Sequence, residues 1–154
     1  MRTNQLDRRA PRLNLRHRGT FVFSLGLAGC ADQGPIGTAV HAARAGTVLL
    51  VEDRFADGTG VAGEENYVNI RHEDGSIEGY VHVAFQGAAV AVGKSVSQGQ
   101  LVGASGHTGS SSVPHLHFHV QRCTGCETIP VTFKNTGAHP QGLQAGEAYL
   151  AMPD

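Results

Sequence analysis

The sequence has no tryptophan, two lysines and two methionines, and charged residues fill only 16% of its 154 positions. With so few cations and a net charge of −1, most of the chain has no basic face to grip a nucleic-acid backbone. No apolar run approaches the roughly 18–20 residues of a membrane span, so no transmembrane segment is expected. Helical periodicity is absent, and the glycines follow no three-residue period, which excludes collagen. A hydrophobic fraction of 40% is enough for a core and excludes wholesale disorder. What the chain does have is 21 glycines, six prolines and nine histidines. Abundant turn formers with little charge point to an all-β domain, and the length fits one such domain.

The near-neutral total conceals a division. Residues 1–30 hold six arginines against Asp7, a local charge of +5, and the remaining 124 positions sum to −6. Residues 1–34 are therefore read as an N-terminal segment and 35–154 as a β-sheet core with a C-terminal extension. The segment supports two readings. Arg8 to Arg18 is basic, Thr20 to Ala28 is apolar, and Leu27-Ala28-Gly29-Cys30 matches a bacterial lipoprotein signal, with Cys30 as a possible lipid anchor. Alternatively, Phe21, Phe23, Leu25 and Leu27 alternate as a strand of the domain itself.

The core reads as strand after strand. Ala39–Ala43 leads into Gly46–Glu52, and Asn66–His72 alternates strongly before the hairpin turn at Asp74-Gly75. Ile77–Val83 is the expected return strand. Glycine-punctuated pieces follow from Val92 to Gly103, then strands at Leu116–Gln121 and Ile129–Phe133.

Chemistry concentrates in Pro114-His115-Leu116-His117-Phe118-His119-Val120. Alternation on a strand sets the three histidines on one face and Leu116, Phe118 and Val120 on the other. Same-face neighbours lie about 6–7 Å apart, close enough for adjacent imidazoles to work on one ion or substrate. A single histidine here would be read as an ordinary exposed residue; three in alternation outweigh that reading. Upstream, Tyr80 and His82 are expected to share one face of the return strand, which alone suggests a half-exposed sheet face.

Together, Gly106-His107-Thr108-Gly109, Pro114-His115-Leu116-His117-Phe118, the Tyr80-x-His82 strand, Gly37–Val48 and Val92–Gly103 resemble the LytM/lysostaphin-type zinc endopeptidases. The likeness runs in order over about residues 35–121. It implies a compact, mostly antiparallel β core whose groove cuts peptide bonds in peptidoglycan, and hence a cell-envelope, periplasmic or extracellular location. It implies Zn²⁺ as cofactor, His117 as a metal ligand, and His115 and His82 as catalytic histidines. His119 and Tyr80 are expected beside the metal site or in the groove, with packing the alternative for Tyr80.

The resemblance also implies two upstream zinc ligands, a histidine and an aspartate. His17-Arg18-Gly19 fits the first, but Gly26 stands where the aspartate is expected, and glycine has no ligand atom. Asp32, three residues before Pro35, is the tentative substitute; its plain alternative is a turn residue. If residues 1–29 were removed as a signal peptide, His17 would leave with them.

Cys123 and Cys126 are read as a local disulfide or a thiol pair bracing a turn, since a zinc knuckle needs a second ligand pair. Two further functions compete with a peptidoglycan endopeptidase. One is a non-catalytic cell-wall-binding or amidase-activating module on the same fold. The other is a lipoyl-like carrier domain, disfavoured because neither Lys94 nor Lys134 has a Met-Lys-Met-like setting.

Overall fold

The computed structural model describes residues 35–129 and Val131 in full, together with the backbone of short strands on either side. Fourteen strands and no helix are found among the described residues. The outer ones are β1 (Arg12–Leu13), β2 (Thr20–Phe21), β3 (Phe23–Gly26), β4 (Gly29–Asp32), β13 (Thr132–Phe133) and β14 (Tyr149–Leu150). The core strands are β5 (Ala39–His41), β6 (Gly46–Glu52), β7 (Tyr67–Arg71), β8 (Ile77–Val81), β9 (Val83–Ala88), β10 (Ser95–Val96), β11 (Leu101–Ser105) and β12 (Leu116–Gln121).

A seven-stranded sheet runs in the order β10-β6-β7-β8-β12-β4-β3, and a three-stranded sheet in the order β5-β11-β9. Every pairing in both is antiparallel; only the small β1–β13 pair is parallel. This is the all-β, mostly antiparallel architecture expected from the sequence.

The β7–β8 hairpin shows how local chemistry fixes register. Gly75 takes φ +82, a left-handed conformation that side chains resist. His72 N–H donates to Ser76 O at 2.9 Å, and the Asp74 carboxylate accepts from Ser76 N at 3.0 Å and Ser76 Oγ at 2.6 Å. Arg44 joins it from a distant loop at 2.6 Å. Burial pushes the Asp74 carboxyl up, but these hydrogen bonds and the guanidinium charge outweigh it and hold it at about 2. The hairpin thereby sets Tyr67 opposite Val81 and Arg71 opposite Ile77.

The alternating apolar residues close the core: Val48, Val68, Ile70, Val83, Val102, Phe118 and Val120 are all buried. On the same side Tyr80 lies against Phe118, ring centres 5.2 Å apart. Three expectations need correction. The return strand does not run unbroken to Val83; it stops at Val81, because His82 adopts φ +63 and turns the chain from the seven-stranded sheet into β9 of the other. The strand expected over Ile129–Phe133 is only Thr132–Phe133, although Ile129 N–H does bond Val120 O at 2.8 Å. Tyr80 is not a groove residue. It is 2% exposed, and its hydroxyl accepts from Ala43 N at 2.7 Å and donates to Glu78 Oε1 at 2.9 Å.

Cys123 and Cys126 form a disulfide across a short turn, with Cα atoms 5.2 Å apart. No helix among the described residues is long and apolar enough to cross a membrane.

Candidate active site

The site is built on the β8–β12 pair. Register sets His117 opposite Val81, Phe118 opposite Tyr80 and His119 opposite Gly79. His117 and His119 therefore share the face of Val81 and Gly79, while Phe118 joins Tyr80 in the core. Simple alternation from Tyr80 would send His82 into the core as well. The left-handed turn at His82 reverses that, and its ring centre comes to 4.4 Å from His115 and 6.2 Å from His117. His119 continues the cluster, 5.4 Å from His117. Four histidines expected from the sequence are thus brought together.

Gly79 explains how His119 fits. A Cβ there would lie 2.5 Å from His119 Cε1 and 2.7 Å from Nε2, so the ring occupies the space that glycine leaves. His119 Nδ1 is buried without a hydrogen-bond partner.

Burial disfavours the charged form of His82, His117 and His119. It pulls His117 down to about 4, helped by the nearby rings of His119, His82 and His115. His119 is lowered by burial alone. His82 is lowered by burial, partly offset by its hydrogen bond to the Thr108 carbonyl. That bond, Nδ1 to Thr108 O at 2.6 Å, requires a hydrogen on Nδ1, since a carbonyl only accepts. His115 Nδ1 lies 2.8 Å from Val113 O and must likewise donate. Both rings then present Nε2 as the lone-pair nitrogen, the form a general base requires.

Several residues outside the expected site set frame this cluster. Thr108, fully buried, accepts from Asn66 N at 3.0 Å and donates to Val83 O at 3.1 Å, which aims its own carbonyl at His82. Asp57 accepts from His107 N at 2.6 Å and Phe85 N at 3.0 Å. Glu65 accepts from Ser110 N and Gly63 N at 3.0 and 2.9 Å. The Ser110 N–H leads the interactions that lower its pKa against the opposing effect of burial. These side chains bond to backbone groups up to 50 residues away, and no local spacing announces such pairs.

The upstream ligand candidates stand apart from this geometry. His17 lies outside the described residues. Gly26 ends β3 and pairs with Gly29. Asp32 ends β4, registered opposite Leu116, and the residue registered opposite His117 is Ala31. Cys30, the candidate lipid anchor, is registered opposite Phe118. No group of three His, Cys, Asp or Glu side chains among the described residues is placed to hold a metal ion.

An all-β scaffold thus gathers His82, His115, His117 and His119 on and beside β12. The description of peptidase family M23 matches residues 27–130, about two thirds of the chain, and the chain belongs to that family. A peptidoglycan DD-endopeptidase of Vibrio cholerae, ShyC, is 38% identical over 135 residues. That match covers 88% of this chain but 27% of the relative, so the chain spans about a quarter of its length. Among solved structures, the catalytic domain of lysostaphin from Staphylococcus simulans is 30% identical, with a TM-score of 0.51 over 68% of this chain and 77% of that one. A zinc-containing peptidase from Vibrio cholerae is 26% identical, with a TM-score of 0.52 over 71% of this chain and 35% of that one.

Proposed function

We propose that the chain binds the peptide portion of peptidoglycan along the histidine face and hydrolyses a peptide bond there, working in the cell envelope. The observation that carries this reading is the convergence of His82, His115 and His117, two of them with a bare Nε2. The name of the Vibrio relative, a peptidoglycan DD-endopeptidase, supports the substrate class.

In this reading His82 and His115 manage the proton. One of them takes it from the attacking water on Nε2, and the resulting N–H hydrogen-bonds the developing oxyanion or passes the proton to the leaving amine. Burial and the neighbouring rings disfavour the charged form of His82 until that moment.

The family resemblance also implies zinc. His117 suits such an ion, being a neutral imidazole with no hydrogen bond to give up. When bound, zinc supplies Lewis-acid polarisation of the carbonyl and lowers the pKa of water towards about 7. The further ligands proposed from the sequence are His17 and Asp32. The register gives Asp32 no support, since Ala31 and Val81 are the two residues paired with His117 and neither has a donor atom.

That register favours a second reading, a non-catalytic module that holds peptidoglycan peptides without cutting them. Zinc analysis and digestion of purified sacculi by the full chain separate the two. About one zinc per chain with release of soluble peptides supports the hydrolase. Sacculus binding with neither zinc nor release supports the module. A chain that neither binds nor cuts sacculi overturns both.

A further inference from the structure

Ser111 is the meeting point of two imidazoles. Its Oγ lies 2.7 Å from Val113 O, 3.0 Å from His107 Nδ1 and 3.1 Å from His115 Nδ1. A carbonyl oxygen cannot donate, so at 2.7 Å the serine proton must lie on the Val113 side. The hydroxyl then has two lone pairs left, and two ring nitrogens to occupy them. Both nitrogens must therefore carry hydrogen. For His115 the bond to Val113 O demands the same tautomer independently.

The arrangement is anchored at its far end. His107 N–H donates to Asp57 Oδ1 at 2.6 Å, and the other oxygen of that carboxylate accepts from Phe85 N on β9. His107 is half-buried, whereas Val113 is 44% exposed, on a loop with little packing of its own. A rigid framework thus reaches through His107 and Ser111 to the exposed carbonyl against which His115 rests.

We propose that His107 and Ser111 are positioning residues for His115. They fix the exposed Val113 carbonyl and the His115 ring together, hold hydrogen on His115 Nδ1, and leave Nε2 bare for the reacting proton. The catalytic meaning rests on the hydrolase reading above. The hydrogen placement does not, because it follows from the donors and acceptors around one hydroxyl.

The test uses the full chain labelled with ¹⁵N, at about pH 8 where imidazoles are neutral. Two-bond imidazole correlation spectra are expected to show a pyrrole-like Nδ1 and a pyridine-like Nε2 for both His107 and His115. Ser111→Ala should shift His107 to mixed tautomers and broaden the His115 ring signals. It should lower kcat about tenfold with KM little changed, since a misplaced acid-base group forfeits only part of its contribution. Ser111→Thr, which keeps the hydroxyl, should restore both readouts. His107→Gln, whose amide can still donate to Ser111, should keep the His115 signals sharp.

The proposal is overturned if His107 carries its hydrogen on Nε2 in the unmodified chain. It is equally overturned if Ser111→Ala leaves the His107 and His115 signals unchanged. Should the chain cut no peptidoglycan, the nitrogen spectra still decide the positioning role, and only the hydrolase reading fails.

Discussion

The two faces of the β8–β12 pair both carry buried polar groups, and they handle them in opposite ways. On the core face, Glu78 is fully buried with His72 and Tyr80 around it. His72 Nδ1 meets Ala45 O at 2.9 Å and its Nε2 lies 3.4 Å from Glu78 Oε2, while Tyr80 serves Glu78 and Ala43. Burial drives the Glu78 carboxyl up. Burial opposes protonation of His72, but the bond and charge of Glu78 prevail and raise it. The two groups face each other at 3.4 Å, a charge contact in which His72 Nε2 and Glu78 Oε2 make no well-aligned hydrogen bond. On the histidine face, His82 and His115 are tied down through Nδ1, His119 Nδ1 has no partner, and His117 lies against the rings of His82 and His119. A buried histidine is thus no functional signal by itself. What separates the faces is the neighbour each imidazole meets: a carboxylate for His72, other imidazoles for His117.

The contrast is sharpest in variants that break one face and spare the other. His115→Ala should lower peptidoglycan hydrolysis about 10²- to 10⁴-fold, read by release of soluble peptides, with little change in urea midpoint. Unimpaired hydrolysis would remove its role.

Glu78→Ala should do the reverse. Removing one partner of a buried pair costs about 3–5 kcal/mol in urea unfolding, while activity per folded molecule persists. A small loss of stability would mean that the network is dispensable.

Acid should weaken the histidine face. His117 falls from the ordinary 6.5 to about 4 on folding, so between those values the unfolded chain binds more protons than the native one. The stabilisation is fully present above about pH 6.5 and is lost as pH falls through about 4. Solvent screening at this partly exposed ring reduces the effect in the metal-free chain to on the order of 1–2 kcal/mol from His117. His82 and His119, also lowered, act in the same direction. Stability that stays flat in urea titrations from pH 7 to pH 4 would contradict it.

The smallest effect is expected for Tyr80→Phe. It strands the Ala43 N–H and removes one bond to Glu78, for about 1–2 kcal/mol and no change in peptide release.

Much of this was legible in the sequence, and the rest was not, for identifiable reasons. The alternation of His117 and His119 against Phe118 and Val120 appears directly as two faces of β12, with His115 just before the strand, because strand periodicity is local. The hairpin at Asp74-Gly75 was readable for the same reason. Tyr80 and His82 misled because alternation assumes an unbroken strand, and one left-handed residue reverses the face that follows it. The framework of Asp57, Glu65 and Asn66 gave no signal, and Thr108 stood only inside a motif of the family resemblance, since each bonds to backbone atoms brought near only by the fold. Gly79 gave none either. Its smallness matters only once His119 is registered opposite it.

The joint at His82 has a consequence for how this chain can change length. A residue at φ +63 costs about 1–3 kcal/mol and is held there by neighbours, including Gly106 N–H on its carbonyl at 2.7 Å. It marks a corner where the polypeptide leaves one sheet for the other. Inserting or deleting a single residue between Ile77 and Val81 would change which side chain arrives at the corner, and a different residue would face His115. The β6–β7 connection around Gly60, where an added Cβ would touch nothing, is the place where a single-residue insertion should be tolerated. Tolerance to insertion, compared between that connection and β8, therefore maps the corner as directly as any measurement of catalysis.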